Sequence, residues 1–487
     1  MYKRQPTRTQ LRLGDLFIEA LYNCGYVDLY NPQRRDASHI VSASARWVQL
    51  GDMSSCKART NLYATVMDKP EDIKGPIQSI KEIDYPIIKG RYKPIDITQP
   101  WLKAINKLQQ TGWRINQRVY DIVKIKLNER SMPNSAFSKD DGFSAPDRDS
   151  PEWRRIQKER SQYFEAQYLK AKTDKLYNED CFYQYVDVDY RGRIYYIEGF
   201  LNFQGSDLAR GIMQFARAKP MTKEGLFWLG VHTASVYNES YNIDKIPDWC
   251  EEDYASYLKE QELESISVDK MTLNDRVQWT AENLDTIIQY GKELSFIDEA
   301  EKPVSYLAAC VEWYDYSQAE NQNRIHMTHL PIPIDGSNNG WQHLGAISKD
   351  QQTGELVGLV PVNIQKDFYV QTAKELIAIN QDDRLQEILD AMPMKSIRKG
   401  ISKRGSMTRA YSAGAKKISE NMYFDCYTED YHEEYDITEE DCDKLAKLLV
   451  RAIDSVCPGP LQTMSYLQQL AGYQLGEYTR VDIDGES

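Results

Sequence analysis

Between Ala391 and Ile418 the chain places eight basic residues (Lys395, Arg398, Lys399, Lys403, Arg404, Arg409, Lys416 and Lys417) and no Asp or Glu. Directly downstream, Asp425 to Asp443 holds ten acidic residues and no Lys or Arg. Blocks this dense are either a solvated basic helix face beside a solvated acidic loop, or a surface shaped for a polyanion. The whole chain carries 60 Lys+Arg against 73 Asp+Glu, a net charge of −13. Spread evenly, that charge would exclude nucleic acid as a partner; an acid-free basic window does not.

Other classes fall away quickly. With 41% hydrophobic and 27% charged residues the 487-residue chain is globular in composition, long enough for about two to four domains. No apolar run approaches the roughly 18 residues of a membrane span, and Glu19 interrupts the one apolar patch near the start, so neither an anchor nor a secretory signal is expected. Eight scattered cysteines without a CxxC pair argue against disulfide frameworks and metal staples and for a reducing cytoplasm.

Residues 1–100 hold short amphipathic patches, the basic residues Lys3, Arg4, Arg8, Arg12, Arg34 and Arg35, and a Pro-punctuated, loop-rich stretch from Lys69 to Pro100. Helical spacing of apolar residues begins near Trp101 and runs to Val123. Arg130 to Pro151 reads as a linker, and Trp153 to Tyr177 as one long exposed helix. From Tyr183 the pattern changes to a β-hairpin turned by Arg191-Gly192-Arg193. Residues 222–300 are mainly helical with acidic loops. Leu330, Ile332 and Ile334 alternate as one strand face, leading to Asp335. Thr438 with Asp441 marks a helix start, with Leu445, Leu448, Leu449 and Ile453 on its inner face and Pro458-Gly459-Pro460 as its stop. The fold expected is α+β, predominantly helical, with a small sheet carrying the chemistry.

Two groups of residues suggest that chemistry. Lys399, Lys403 and Tyr411 are spaced to lie within roughly a 120° arc of one helix, with Met407 in the same arc. Such a face can hold a triphosphate at one end and stack a sugar or base at the other. Asp335-Gly336 can present a carboxylate and a carbonyl to a hard cation, although a solvated turn Asp is the commoner use of such a pair.

These pieces resemble a known pattern. Asp189-Tyr-Arg191-Gly-Arg193-Ile-Tyr195, followed by Asn202-Phe-Gln204-Gly205-Ser-Asp207, is similar to the D-x-R-G-R-x-Y…Q-G-x-D signature of the single-subunit RNA polymerases of T-odd phages and mitochondria. Asp335-Gly336-Ser337 with Gly340, Gln342 and His343 resembles their motif A. Lys399-Gly-Ile-Ser-Lys403-Arg404-Gly-Ser-Met407-Thr-Arg-Ala-Tyr411 resembles their motif B. Lys103 to Asn116 is similar to the segment leading from thumb to palm, so the resemblance covers about residues 101–475.

The resemblance implies a right-hand polymerase: a short N-terminal domain (1–100), thumb and linker (101–182), palm with a small antiparallel sheet (183–363) and fingers (364–487). It implies RNA synthesis from NTPs on a DNA template, with two Mg²⁺ ions. Asp335 and Gly336 would bind metal; Lys399, Lys403, Arg404, Met407 and Tyr411 the nucleotide; Arg191, Arg193, Tyr195, Gln204 and Arg210 the template and nascent RNA. Gln204 and Asp189 have an equally strong structural reading, as shapers of the hairpin. The family's second metal aspartate lies in a His-Asp pair, motif C, and none of the six histidines here precedes an Asp. The palm is therefore expected to be incomplete, and the chain inactive until a second subunit supplies motif C, as in a split, heterodimeric phage enzyme or a fragment of a longer one. Further expected partners are a promoter-recruitment or single-strand-binding protein, and the expected setting is the cytoplasm of an infected bacterium. Asn338-Asn339 after motif A, Lys for Arg at 399 and Ser412 for Gly after the tyrosine depart from the family pattern. Two alternatives stay open: a catalytically inactive nucleic-acid-binding or regulatory subunit, and a related template-directed DNA polymerase.

Overall fold

The computed structural model describes residues 27–30, 40–43, 65–70, 88–89, 99–129, 131–132, 151–189, 193–336, 338–362 and 364–470. Most of the N-terminal hundred residues, most of the linker from Arg130 to Pro151, and Arg191 lie outside them. The fold is α+β and predominantly helical, with its strands in two- and three-stranded sheets. The chain divides into two compact units, Met1–Trp113 with Glu179–Gly205, and Arg114–Asn178 with Ser206–Ser487.

In the first unit the helix Gln99–Gln109 ends before Gly112, and the main chain of Trp113 pairs with Phe182 through two 2.8 Å hydrogen bonds. The helical spacing that runs through Trp101 to Val123 is thus broken by a short strand, Trp113–Ile115, before helix resumes at Gln117–Glu129. Gly at 112 breaks the run, because it disfavours helix by about 1 kcal/mol. The predicted hairpin is present: Val186–Asp189 pairs antiparallel with Ile194–Tyr196, Val186 opposite Tyr196. Ile88–Lys89 adds a parallel third strand, so this sheet is mixed. Phe182, Val186 and Leu201 are fully buried in this unit.

The second unit is built on two apolar clusters. One gathers Leu229, Tyr254, Trp279, Ile287, Tyr306 and Cys310, and the helix Pro303–Asn321, buried along its first half, forms much of it. The other gathers Trp341, Phe368, Ile397, Ile401, Ile418, Leu445 and Leu449. The long helix Pro151–Leu176 is present, but Ala166, Leu169 and Leu176 are buried, so it is not exposed throughout. Helix Glu439–Val456 begins in a complete capping box between Thr438 and Asp441, and buries Leu445, Leu448, Leu449 and Ile453 as their spacing predicts. The helix ends at Val456, just before Pro458 as expected, and after Cys457 a further helix runs over 458–470. Proline suits the first position of that helix, which needs no N–H. The acidic stretch from Asp425 is likewise no loop; it is divided among the helices Ala415–Thr428, Tyr431–Glu434 and Glu439–Val456.

Candidate active site

The segment carrying Asp335 leaves a sheet edge. Met327–Thr328 pairs with Lys219–Pro220, and His329 extends the ladder by accepting from Phe215 N–H at 2.9 Å. Beyond it, residues 330–334 form no strand, because Pro331 and Pro333 have no N–H to offer a ladder. The expected alternation fails with it: Pro331 is buried and Ile334 is 81% exposed. Asp335 and Gly336 are exposed, and the Gly336 N–H donates to Asp335 Oδ1 at 2.8 Å. Asn338 takes a left-handed conformation and opens the helix Asn339–Ser348.

The basic stretch runs through Met394–Ser396, a π-helical turn over Ile397–Ser402, and the helix Lys403–Arg409. Within the π turn the Lys403 N–H reaches Arg398 O, one residue further back than in an α-helix. Lys399 pairs with Glu429, and Arg404 pairs with Asp425 at 2.7 Å. Arg409 pairs with Asp454 and Arg398 with Asp367. Two of these carboxylates come from the acidic window, so the two blocks are in part each other's counterions. Lys403 makes no ion pair among the described residues. Burial, and then the charges of Arg398 and Lys270, push its ammonium below the usual lysine range.

Lys270 is a cation that sequence reasoning missed. It sits on the short turn Val268–Lys270, where Arg276 donates to the carbonyls of Asp269 (2.7 Å) and Met271 (3.0 Å) on either side of it. No spacing rule links position 270 to 403; the fold alone brings their charges within reach of each other.

Side chains tie the Asp335 segment to the basic helix. Tyr369 donates its hydroxyl to Asn338 Oδ1, while the Tyr369 carbonyl accepts from Ser402 Oγ at 2.6 Å. Trp341 Nε1 donates to the Ser406 carbonyl at 2.8 Å. Gly340 lies so close to the helix end that a Cβ there would meet Ala410 Cβ at 2.7 Å and the Tyr411 ring at 3.3 Å. Met407 and Tyr411 are 47% and 56% exposed. Asp335, Gly336, Lys399, Lys403, Arg404, Met407 and Tyr411 all belong to the second unit.

The candidate template residues divide. Arg193 is exposed and Tyr195 half-buried on the hairpin of the first unit. Gln204 uses its amide on that hairpin's backbone, accepting from Tyr196 N–H at 3.1 Å and donating to Ile194 O at 2.9 Å, which is the structural role weighed for it above. Arg210 is half-buried in the second unit, on the helix Asp207–Ile212, where its charge acts on Asp207 and His232.

A family model described as DNA-dependent RNA polymerase matches residues 219–483, and the chain belongs to that family. Its type within the family is that of the single-subunit phage and mitochondrial enzymes. The mitochondrial DNA-directed RNA polymerase 1 of Arabidopsis thaliana is 29% identical over 310 residues, 60% of this chain and 29% of the relative. T7 RNA polymerase of Escherichia phage T7 is 26% identical over 61% of this chain and 32% of its own length. The chloroplastic DNA-directed RNA polymerase 3 of Nicotiana sylvestris is 24% identical over 78% of this chain and 41% of the relative. The chain thus spans less than half the length of these curated relatives.

Proposed function

We propose that the chain takes part in template-directed synthesis of RNA from NTPs on DNA. One observation carries this reading: Arg398, Lys399, Arg404 and Arg409 are each paired with a carboxylate while Lys403 between them makes no ion pair among the described residues, and its helix ends where Tyr411 packs on the Gly340 that follows Asp335. An exposed lysine whose charge is opposed by those of Arg398 and Lys270 is a place where a triphosphate relieves repulsion. Lys403 and Lys270 would hold the phosphates, Met407 the apolar face of the nucleotide, and the Tyr411 hydroxyl the ribose 2′-OH. Lys399, Arg404 and Lys270 would act on the nucleotide only at the expense of Glu429, Asp425 and Asp269. Arg193 and Tyr195 would meet the template and nascent RNA, and the phage relative makes the cytoplasm of a bacterial host the setting we propose.

The Asp335 carboxylate suits magnesium, which takes one or two carboxylates and fills its shell with water and phosphate oxygens. It is exposed, makes no ion pair among the described residues, and spends one oxygen on its own Gly336 amide. Bound there, the ion would supply charge stabilisation to the phosphoryl group under attack. Among the described residues no group of three His, Cys, Asp or Glu side chains could close a metal site, and no His-Asp pair occurs in the sequence. We therefore infer that the second carboxylate comes from polypeptide outside these 487 residues, such as a second subunit. The test is primer extension with Mg²⁺ and NTPs, with and without a companion chain bearing a His-Asp hairpin. The mixture is expected to extend, and Asp335→Ala to abolish extension; extension by this chain alone would sink the shared-site reading.

A further inference from the structure

The helix carrying Lys403 ends in a turn that suits glycine and holds serine. Ala413 N–H donates to Thr408 O at 3.3 Å and Ser412 N–H to Arg409 O at 2.8 Å, the two bonds of a Schellman motif. Ser412 occupies its left-handed position, with φ at 64°. Glycine takes that conformation freely, whereas a residue with a Cβ is strained in it. A side chain from elsewhere reaches that serine: Gln468 Nε2, on the helix 458–470, donates to Ser412 Oγ at 3.1 Å. The residue immediately before the strained serine is Tyr411, whose ring packs on Gly340.

We propose that Gln468 is a positioning residue for Tyr411. By holding Ser412 left-handed, its amide keeps the helix end closed and fixes where the tyrosine hydroxyl stands against the ribose of an incoming nucleotide. The preference for ribonucleotides over deoxyribonucleotides then depends on a side chain that never touches the sugar. The inference rests on the reading of Tyr411 given under Proposed function. It makes a specific demand: glycine at 412 needs no clamp, so Ser412→Gly should make Gln468 dispensable.

The test is competition of ATP and dATP against γ-phosphate-labelled ATP, binding to the full chain on a primed template with Mg²⁺, which requires no turnover. Gln468→Ala should lower the preference for ATP about fivefold, the size expected for one lost neutral hydrogen bond. Affinity for tripolyphosphate, which has no ribose, should not change. Ser412→Ala, which removes the acceptor, should give the same loss and stands in should Gln468→Ala fail to fold. Gln468→Ala combined with Ser412→Gly should restore the preference. A wild-type ratio in Gln468→Ala, alongside a lost preference in Tyr411→Phe, overturns this proposal and leaves the tyrosine reading intact. A folded double variant that stays unselective also overturns it. If Tyr411→Phe keeps the preference, the tyrosine reading itself falls, and this inference with it.

Discussion

At the scale of single residues, Lys403 and Gly340 make the sharpest predictions. In the phosphate-holding role proposed for it, Lys403 would act only while protonated, and its pKa lies below that of an ordinary lysine. NTP affinity should therefore fall with rising pH at a lower pH than the lysine value of about 10.4 would give. Lys403→Arg should flatten that fall, because arginine stays charged throughout; a nucleotide titration between pH 7 and 10 checks both. Gly340→Ala inserts a methyl 2.7 Å from Ala410 Cβ. Overpacking of this kind costs about 1–3 kcal/mol, readable in the unfolding midpoint, and should also displace Tyr411. The motif residues themselves were legible in the sequence because their chemistry is carried by residue type. Partners were not. That Lys399 pairs with Glu429 while Lys403 makes no ion pair among the described residues depends on a register which the linear charge pattern does not contain.

At the scale of elements, periodicity revealed what local energetics control. The capping box at Thr438 and the inner face of Glu439–Val456 follow from hydrogen-bonding groups and apolar residues a few positions apart. Thr438→Ala should cost about 1 kcal/mol through the lost N-cap, measured by urea unfolding. Where periodicity misled, a longer-range contact overrode it. Trp113 left its helical pattern to pair with Phe182. The alternation of Leu330, Ile332 and Ile334 predicts a strand, yet two prolines withhold the donors a ladder needs. The π turn at Ile397–Ser402 takes one extra residue into its hydrogen-bonded ring, and no residue type announces it.

At the scale of the whole molecule, charge and burial set the response to acid. His232 lies 7% exposed, and burial, followed by the charges of Lys302 and Arg210, holds its pKa at about 4. The unfolded chain takes up that proton near pH 6.5, the folded one only near 4. Stability should thus fall as pH drops through this window, by up to about 3 kcal/mol, with no contribution above it. His232→Gln should remove that part of the dependence, seen by comparing unfolding free energies of the two proteins at pH 7 and 4.5. Net charge, by contrast, says little, because basic and acidic blocks that look segregated along the chain partly neutralise one another across it.

The division into units also has a consequence for synthesis. The first unit is discontinuous: the Val186 N–H donates to Gln109 Oε1 at 3.2 Å, and Phe182 pairs with Trp113, yet a stretch belonging to the other unit lies between them in sequence. A ribosome adding roughly 5–20 residues per second leaves Gln109 and Trp113 without these partners for several seconds. During that interval their backbone and apolar groups are open to other chains or to chaperones. Slowing translation between Trp113 and Glu179 should lengthen the exposure and lower the soluble yield, whereas slowing it after Gly205 should leave this unit untouched.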